Sequence, residues 1–248
     1  MAVTRLFVER DLAAGSEIEL SEAQAHQLRH VLRRGEGSPL LLFNGRDGEW
    51  RAAFEPAGKR GAIVALQDQT RVQDRATNLH YLFAPLKRSR LDYAVQKAVE
   101  MGAARLKPVI TRYTQIERVK TDRMRANAIE AAEQCSILAI PAIDEPVALD
   151  RALAALEGER TLVFCDEDAP TTDPLAALTP LRGRDSIPLA VLIGPEGGFA
   201  PEERVMLLQR PNTVRLALGP RILRADTAAV AALALVQATL GDWARGSA

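Results

Sequence analysis

The sequence is poor in cysteine, poor in aromatic residues and without an excess of either charge. Its 248 residues hold two cysteines, 4% aromatics, and 32 Lys and Arg against 32 Asp and Glu. Cys135 and Cys165 form no Cys-x-x-Cys pair and have no His pair near them, which excludes zinc ribbons and disulfide scaffolds; no metal site is expected. Each is expected to be a small buried hydrophobe in a reducing, cytoplasmic setting. Long apolar runs are also missing. The longest, Ala228 to Val236, falls far short of the ~20 residues that cross a bilayer, so no membrane span is expected. Met1 to Glu9 alternates apolar with polar residues and lacks the ~7–15-residue apolar core of a secretion signal. Among motifs, there is no Gly-x-x-x-x-Gly-Lys-Ser/Thr phosphate loop, no Gly-x-Gly-x-x-Gly dinucleotide fingerprint and no Gly-x-Ser-x-Gly elbow.

What is present is an ordinary globular composition, 47% hydrophobic and 26% charged, with uneven charge along the chain. Residues 73–125 carry 12 basic against 5 acidic side chains, whereas residues 126–248 carry 10 against 17. A basic band of this kind suits an anionic partner such as RNA, and equally a solvated helix face paired with the acidic remainder.

The first seventy residues read as many short elements. Val3 to Val8 alternates, Ser21 and Gln24 form a capping box, and Ala25, Leu28, Val31 and Leu32 keep helical spacing up to Gly35. Strands are expected at Leu40 to Phe43, Glu49 to Phe54 and Ala62 to Gln67, separated by Asn44-Gly45, Asp47-Gly48 and Pro56 to Gly61. The polar stretch Asp68 to Asn78 reads as a linker. After it the pattern alternates. Strands are expected at Leu79 to Ala84, Leu106 to Ile110, Thr161 to Cys165, Leu189 to Ile193 and Val214 to Leu218, with helices near 89–101, 121–139, 148–157, 201–209 and 225–242. Such alternation predicts a largely parallel sheet covered on both faces. Ser89 is the expected cap of the first of these helices and Gly102 its stop. The alanines of the last helix permit close approach of another backbone, inside the domain or from a second copy.

Two segments at the ends of expected strands stand out, where open α/β sheets bind ligands. One is Ile193-Gly194-Pro195-Glu196-Gly197-Gly198-Phe199, whose glycines let a ligand approach main-chain N–H groups or simply shape a turn. The other is Leu218-Gly219-Pro220-Arg221-Ile222-Leu223-Arg224-Ala225-Asp226-Thr227. Here Asp226 or Thr227 can cap a helix, and Arg221 and Arg224 either lie in solvent or hold an acidic group with their planar forks. Arg224 can instead form a helix-start salt bridge with Asp226 or Glu196. His80, in an expected strand, reads as structural.

These segments, with Arg5-Leu6-Phe7-Val8, His30-Val31-Leu32-Arg33, Lys87 before Leu91-Asp92, Gln96-Lys97-Ala98-Val99-Glu100-Met101-Gly102 and Glu130-Ala131-Ala132-Glu133-Gln134, resemble the RsmE-type 16S ribosomal RNA (uracil-N3)-methyltransferases of the SPOUT superfamily. The resemblance covers nearly the whole chain. It implies a PUA-like RNA-binding β-barrel over 1–72 and an α/β SPOUT methyltransferase domain over 73–248, with a C-terminal trefoil knot. It also implies a homodimer that uses S-adenosylmethionine to methylate uridine N3 of 16S ribosomal RNA. By the same resemblance the cofactor residues are Gly194, Pro195, Glu196, Gly197, Gly198, Leu218, Gly219, Ile222 and Leu223. The expected RNA contacts are Arg5, His30, Arg33, Lys87, Arg88, Arg90 and Lys97; the expected catalytic group is Arg224, stabilising the uracil anion as the N3 proton leaves to water, with Glu196 or Asp226 as the less favoured base. A non-catalytic RNA-binding or ribosome-assembly protein of the same fold is the alternative. The sequence departs from the family in two places: Gln134 is followed by Cys135-Ser136-Ile137-Leu138 without the usual Arg, and Asp226 stands where Glu is usual.

Overall fold

The computed structural model describes residues 3–58, 61–74, 77–116, 118–183 and 187–243. Lys59 and Arg60 of the expected Pro56–Gly61 turn lie outside the described residues, as do Arg75 and Ala76 of the expected linker. The chain forms two compact units, Met1–Arg75 with Ala132–Ile140, and Ala76–Ala131 with Pro141–Ala248.

The first unit is built on strands β1 (Thr4–Phe7), β2 (Glu17–Glu19), β3 (Pro39–Phe43), β4 (Glu49–Ala57) and β5 (Gly61–Arg71), in the order β1-β3-β4-β5-β2. Alternation sets the core face: Leu40, Leu42, Ala52, Phe54, Ala62, Val64 and Leu66 are buried together, while their neighbours in sequence, Phe43 excepted, are more exposed. Two expectations change here. β5 runs on to Arg71, into the stretch read as linker, because the start of β4 pairs with it there, Trp50 opposite Gln69 and Glu49 opposite Arg71. The helix starts at Ser21 as expected, with Gln24 N–H on the Ser21 hydroxyl, but stops before Gly35. After α1 (Glu22–His26) the chain loosens into a π-helical turn, Gln27–Val31, in which Leu32 N–H reaches Gln27 C=O at 2.9 Å. Arg33 then adopts φ 52°, and Arg34 N–H returns to Leu28 C=O at 2.8 Å, which closes the turn.

Arg5 and residues 132–140 belong to this unit too. The guanidinium pairs with Glu49 at 2.7 Å and donates to the carbonyls of Ala132, Glu133 and Ile137, while the Glu133 carboxylate accepts Phe7 N–H at 2.8 Å. The Arg5 side chain is 7% exposed.

The second unit holds a parallel sheet ordered β12 (Thr213–Leu216), β10 (Thr161–Cys165), β11 (Leu189–Ile193), β6 (Leu79–Phe83), β7 (Arg105–Ile110), β8 (Ala142–Ile143), with β9 (Val147–Ala148) also on β7. Both faces are covered, as the nearly continuous apolar strands require. On one, Leu82, Leu162, Phe164, Ala190 and Leu192 pack with residues of α4 (Leu149–Ala154) and α6 (Pro201–Gln209). Over the other lie α2 (Arg88–Glu100), α5 (Pro174–Leu178) and α7 (Ala225–Leu240), with α7 against α2, α5 and β11. The alanine-rich face of α7 is therefore used inside this unit. α2 is not capped by Ser89; Lys87 holds the cap position, and Gly102 ends the helix at φ 77°. α3 (Thr121–Gln134) stops short of 139 because Ser136 turns to φ 58°. Among the described residues no helix is long and apolar enough to cross a membrane.

Candidate functional site

In a parallel sheet every strand ends at the same edge, and the adjacency β12-β10-β11 brings the segments after these strands together. Gly194 to Phe199 follows β11, Leu218 to Arg224 follows β12, and Asp166 lies between them at the end of β10. The sequence singled out the two outer segments. It missed the middle one, whose signal is an acid placed immediately after a wholly apolar strand.

The Gly-rich loop is shaped by its own packing. Phe199 folds back beneath it, edge-on to Phe164 with ring centres 5.2 Å apart, so a Cβ on Gly194 would lie 2.6 Å from the Phe199 ring. A Cβ on Gly197 would approach the Cβ of Tyr113, in the turn after β7, to 3.2 Å. Gly198 has φ 72°, and its N–H closes a turn on Pro195 C=O at 2.9 Å. The loop leads into α6 at Pro201, where Glu203 accepts N–H bonds from Ala200 (2.9 Å) and Arg112 (2.8 Å). Three glycines expected to make room for a ligand thus each have a reason within the chain.

The second loop is different in kind. Gly219 turns at φ 88°, and Ile222 stands 91% exposed. Arg221 and Arg224 are exposed and, among the described residues, take part in no ion pair. The expected caps are not used: Arg224 holds the cap position of α7, and Asp226 in the first turn accepts only Thr227 N–H, at 3.0 Å. Among the described residues Arg224 forms no salt bridge with Asp226 or with Glu196, whose carboxylate pairs with Arg90 at 2.9 Å. Leu218, Gly219 and Leu223 are half-buried.

Burial governs the titratable groups nearby. The Cys165 thiol is pushed up to about 12, first by burial and then by Asp166, which makes it inert near neutrality. Burial also raises Tyr81, with Cys165 and Asp226 adding to the shift. Cys135 is exposed, contrary to expectation, since it follows the end of α3. His80 sits near the start of β6, away from the loops; burial, then Arg160 and Arg105, lower it to about 4, so it is neutral.

The basic residues divide by exposure. Lys87 and Arg88 open α2 in solvent, and Arg90 is half-exposed in its pair with Glu196. Lys97 is bound to Glu100 at 2.7 Å and lies over the Tyr93 ring. In the first unit His30 and Arg33 are exposed, His30 packed on His26 with ring centres 4.8 Å apart. Arg5, expected to meet RNA, instead points inward with its donors used.

Comparison with known proteins matches this arrangement. Residues 73–237 fit the RNA methyltransferase domain family, and residues 20–67 fit the RNA methyltransferase PUA domain. The chain belongs to the RNA methyltransferase family. It is 31% identical to a Rickettsia conorii family protein named Ribosomal RNA small subunit methyltransferase E, over 96% of each chain. A Bacillus subtilis protein of the same name is 24% identical, over 94% of this chain and 95% of that one. A Legionella pneumophila methyltransferase solved with the cofactor S-adenosylmethionine bound is 30% identical, with TM-score 0.83, over 96% of this chain and 98% of that one. The Neisseria gonorrhoeae Ribosomal RNA small subunit methyltransferase E shares the fold at the same TM-score, with 23% identity over 95% and 97% of the two chains. The architecture is a PUA domain followed by an α/β RNA methyltransferase domain.

Proposed function

We propose that the protein transfers a methyl group from S-adenosylmethionine to N3 of a uridine in 16S ribosomal RNA. The observation that carries this reading is the pairing, at one sheet edge, of a packed Gly-rich loop with an exposed Ile222-Leu223-Arg224 loop. It occurs in a chain 30% identical, over nearly its whole length, to a methyltransferase holding that cofactor. The residues fit the group: Ile222, 91% exposed, offers an apolar surface in the loop after β12, and a Cβ at Gly219 would have nothing within 4 Å. Gly194, Pro195, Glu196, Gly197 and Gly198 on one side, with Leu218, Gly219, Ile222 and Leu223 on the other, would hold it. Bound there, S-adenosylmethionine supplies an electrophilic methyl carbon.

The protein's own task is then alignment, because an in-line displacement is governed by orientation. Arg224, free to present its fork, steadies the uracil oxygen as negative charge develops when the N3 proton leaves to water. Glu196, tied to Arg90, and Asp226 are the less favoured acceptors of that proton. We take residues 1–72 as the RNA-binding domain and 73–248 as the methyltransferase domain. His30 and Arg33 of the first, and Lys87, Arg88, Arg90 and Lys97 of the second, contact phosphate; Arg5 serves the core. The C-terminal trefoil knot, the homodimer and the cytoplasmic setting belong to the same proposal. The knot is supported by β12 lying at the sheet edge beyond β10 while α7 returns onto β11 and α2.

Two measurements test the reading: calorimetric titration with S-adenosylmethionine, and methylation of small ribosomal subunits from a strain lacking the activity, with the nucleoside identified by mass spectrometry. Binding and N3-methyluridine are expected. Another methylated product would overturn the substrate, and absence of cofactor binding would overturn the enzyme.

A further inference from the structure

The middle segment at the sheet edge contains a buried carboxylate that the mechanism above does not use. Asp166 is 4% exposed at its side chain. Its oxygens accept two hydrogen bonds from Arg204 of α6, at 2.9 and 3.0 Å, and one from Arg215 of β12, at 2.7 Å. Its N–H meanwhile donates to Leu216 C=O at 3.0 Å, continuing the β10–β12 ladder past the strand end. Arg215 also donates to the Asp168 carbonyl, and Arg204 lies 3.4 Å from the Asp168 carboxylate.

The two arginines come from the elements that flank the proposed cofactor loops. Arg204 is on the first turns of α6, the helix that the Gly-rich loop enters, and Arg215 is one residue before the end of β12, from which the exposed loop departs. One buried carboxylate therefore ties the landing point of one loop to the departure point of the other. A buried carboxylate is costly without full hydrogen-bonding partners, and losing one partner leaves the remainder strained. Arg204 and Arg215 are each about a third exposed, at 30% and 27%, so the arms of the clamp reach the buried carboxylate from the surface.

We propose that Asp166 is a positioning residue for S-adenosylmethionine, fixing through Arg204 and Arg215 the spacing between the loops at Gly194–Phe199 and Leu218–Arg224. The proposal rests on the cofactor reading of those loops. Asp166 itself touches neither cofactor nor RNA. Breaking the clamp should widen the spread of loop spacings, so that binding must reorder them, while the bound state reacts as before.

The experiment compares the full-length wild type with Arg204→Gln, Arg204→Lys and Asp166→Asn, measuring thermal unfolding, calorimetric affinity for S-adenosylmethionine, and steady-state methylation of small ribosomal subunits. Arg204→Gln, on the more accessible arm, should fold and raise both Kd and KM for the cofactor about tenfold, within the range for networked residues that touch neither ligand, with kcat at saturation little changed. Arg204→Lys should recover most of the affinity, since it keeps a charge on the carboxylate. Asp166→Asn should weaken binding at least as much, or fail to fold because it removes the acceptor from two arginines; Arg204→Gln then decides the matter. A folded Arg204→Gln with wild-type cofactor affinity overturns the proposal and leaves the network a stability element. A wild type that binds no S-adenosylmethionine overturns the cofactor reading and the clamp together.

Discussion

The two loops at the sheet edge are of similar length and each carries a Gly-Pro pair, yet one is packed and the other is open. In the first, the Phe199 ring fills the space over Gly194 and Tyr113 crowds Gly197, so its composition is accounted for by contacts within the chain. In the second, Ile222 is 91% exposed and two arginines stand without ionic partners among the described residues. Glycine density, which draws the eye in the sequence, marks the loop that serves the fold. The exposed apolar and cationic side chains mark the loop whose composition the fold does not explain, and that residue is what a ligand must explain.

The sharpest way to test the contrast is at Arg224. Arg224→Lys should leave stability and cofactor affinity intact but slow single-turnover methylation of small subunits roughly a hundredfold or more, as when an oriented donor to a developing anion is lost. Wild-type turnover would move the open loop's purpose away from chemistry. Next comes Gly194→Ala, which should destabilise by about 1–3 kcal/mol through overpacking against Phe199, read by denaturant unfolding. The added change Phe199→Leu should restore part of the loss; no loss in the single variant would mean the first loop is less packed than it looks. Ile222→Ser is the counterpart. Unfolding free energy should stay within about 0.5 kcal/mol, as at an open surface site, while S-adenosylmethionine affinity falls roughly tenfold because an apolar contact made only on binding is gone.

Smaller effects belong outside the loops. Lys87→Ala and Arg88→Ala should each lower the salt slope of RNA affinity by about one unit, and an unchanged slope would make the start of α2 a solvated surface. The weakest is a pH effect toward the opposite end of the sheet. His80 is held near 4 in the folded protein against 6.5 for the free side chain, so the unfolded chain takes up a proton there that the folded one does not. Stability should therefore be full above about 6.5 and fall as pH drops toward 4, with His80→Gln flattening that slope in a thermal-melt series and leaving cofactor affinity alone.

Much of this arrangement was legible beforehand, and the rest was hidden for identifiable reasons. The long apolar strands and the periodic helices α2 and α7 announce themselves, since burial on both faces or on one stripe leaves a pattern in the sequence. β2 does not: it is three residues, two of them Glu, with only Ile18 buried. The π-helical turn is invisible because Leu28, Val31 and Leu32 suit an α-helix equally well, and only Arg33 at positive φ betrays the stop. Within the site, the loops were found by composition, but the burial of Arg5 and the clamp on Asp166 depend on partners distant in sequence. Arg5 beside Leu6-Phe7 reads like a surface cation until Glu49 and the carbonyls of 132–137 are placed around it.

That last set of bonds has a consequence for synthesis. The first unit takes in Ala132–Ile140, so the chain that emerges first from the ribosome cannot complete that unit on its own. Until residue 137 is out, the Arg5 guanidinium lacks three of the carbonyls it ends up with, and Phe7 N–H lacks the Glu133 carboxylate. At ordinary rates of elongation that is a wait on the order of several seconds after residue 75 appears. The first unit to be made is finished only by a later piece of chain, which makes its last step of folding depend on the part of the protein that follows it.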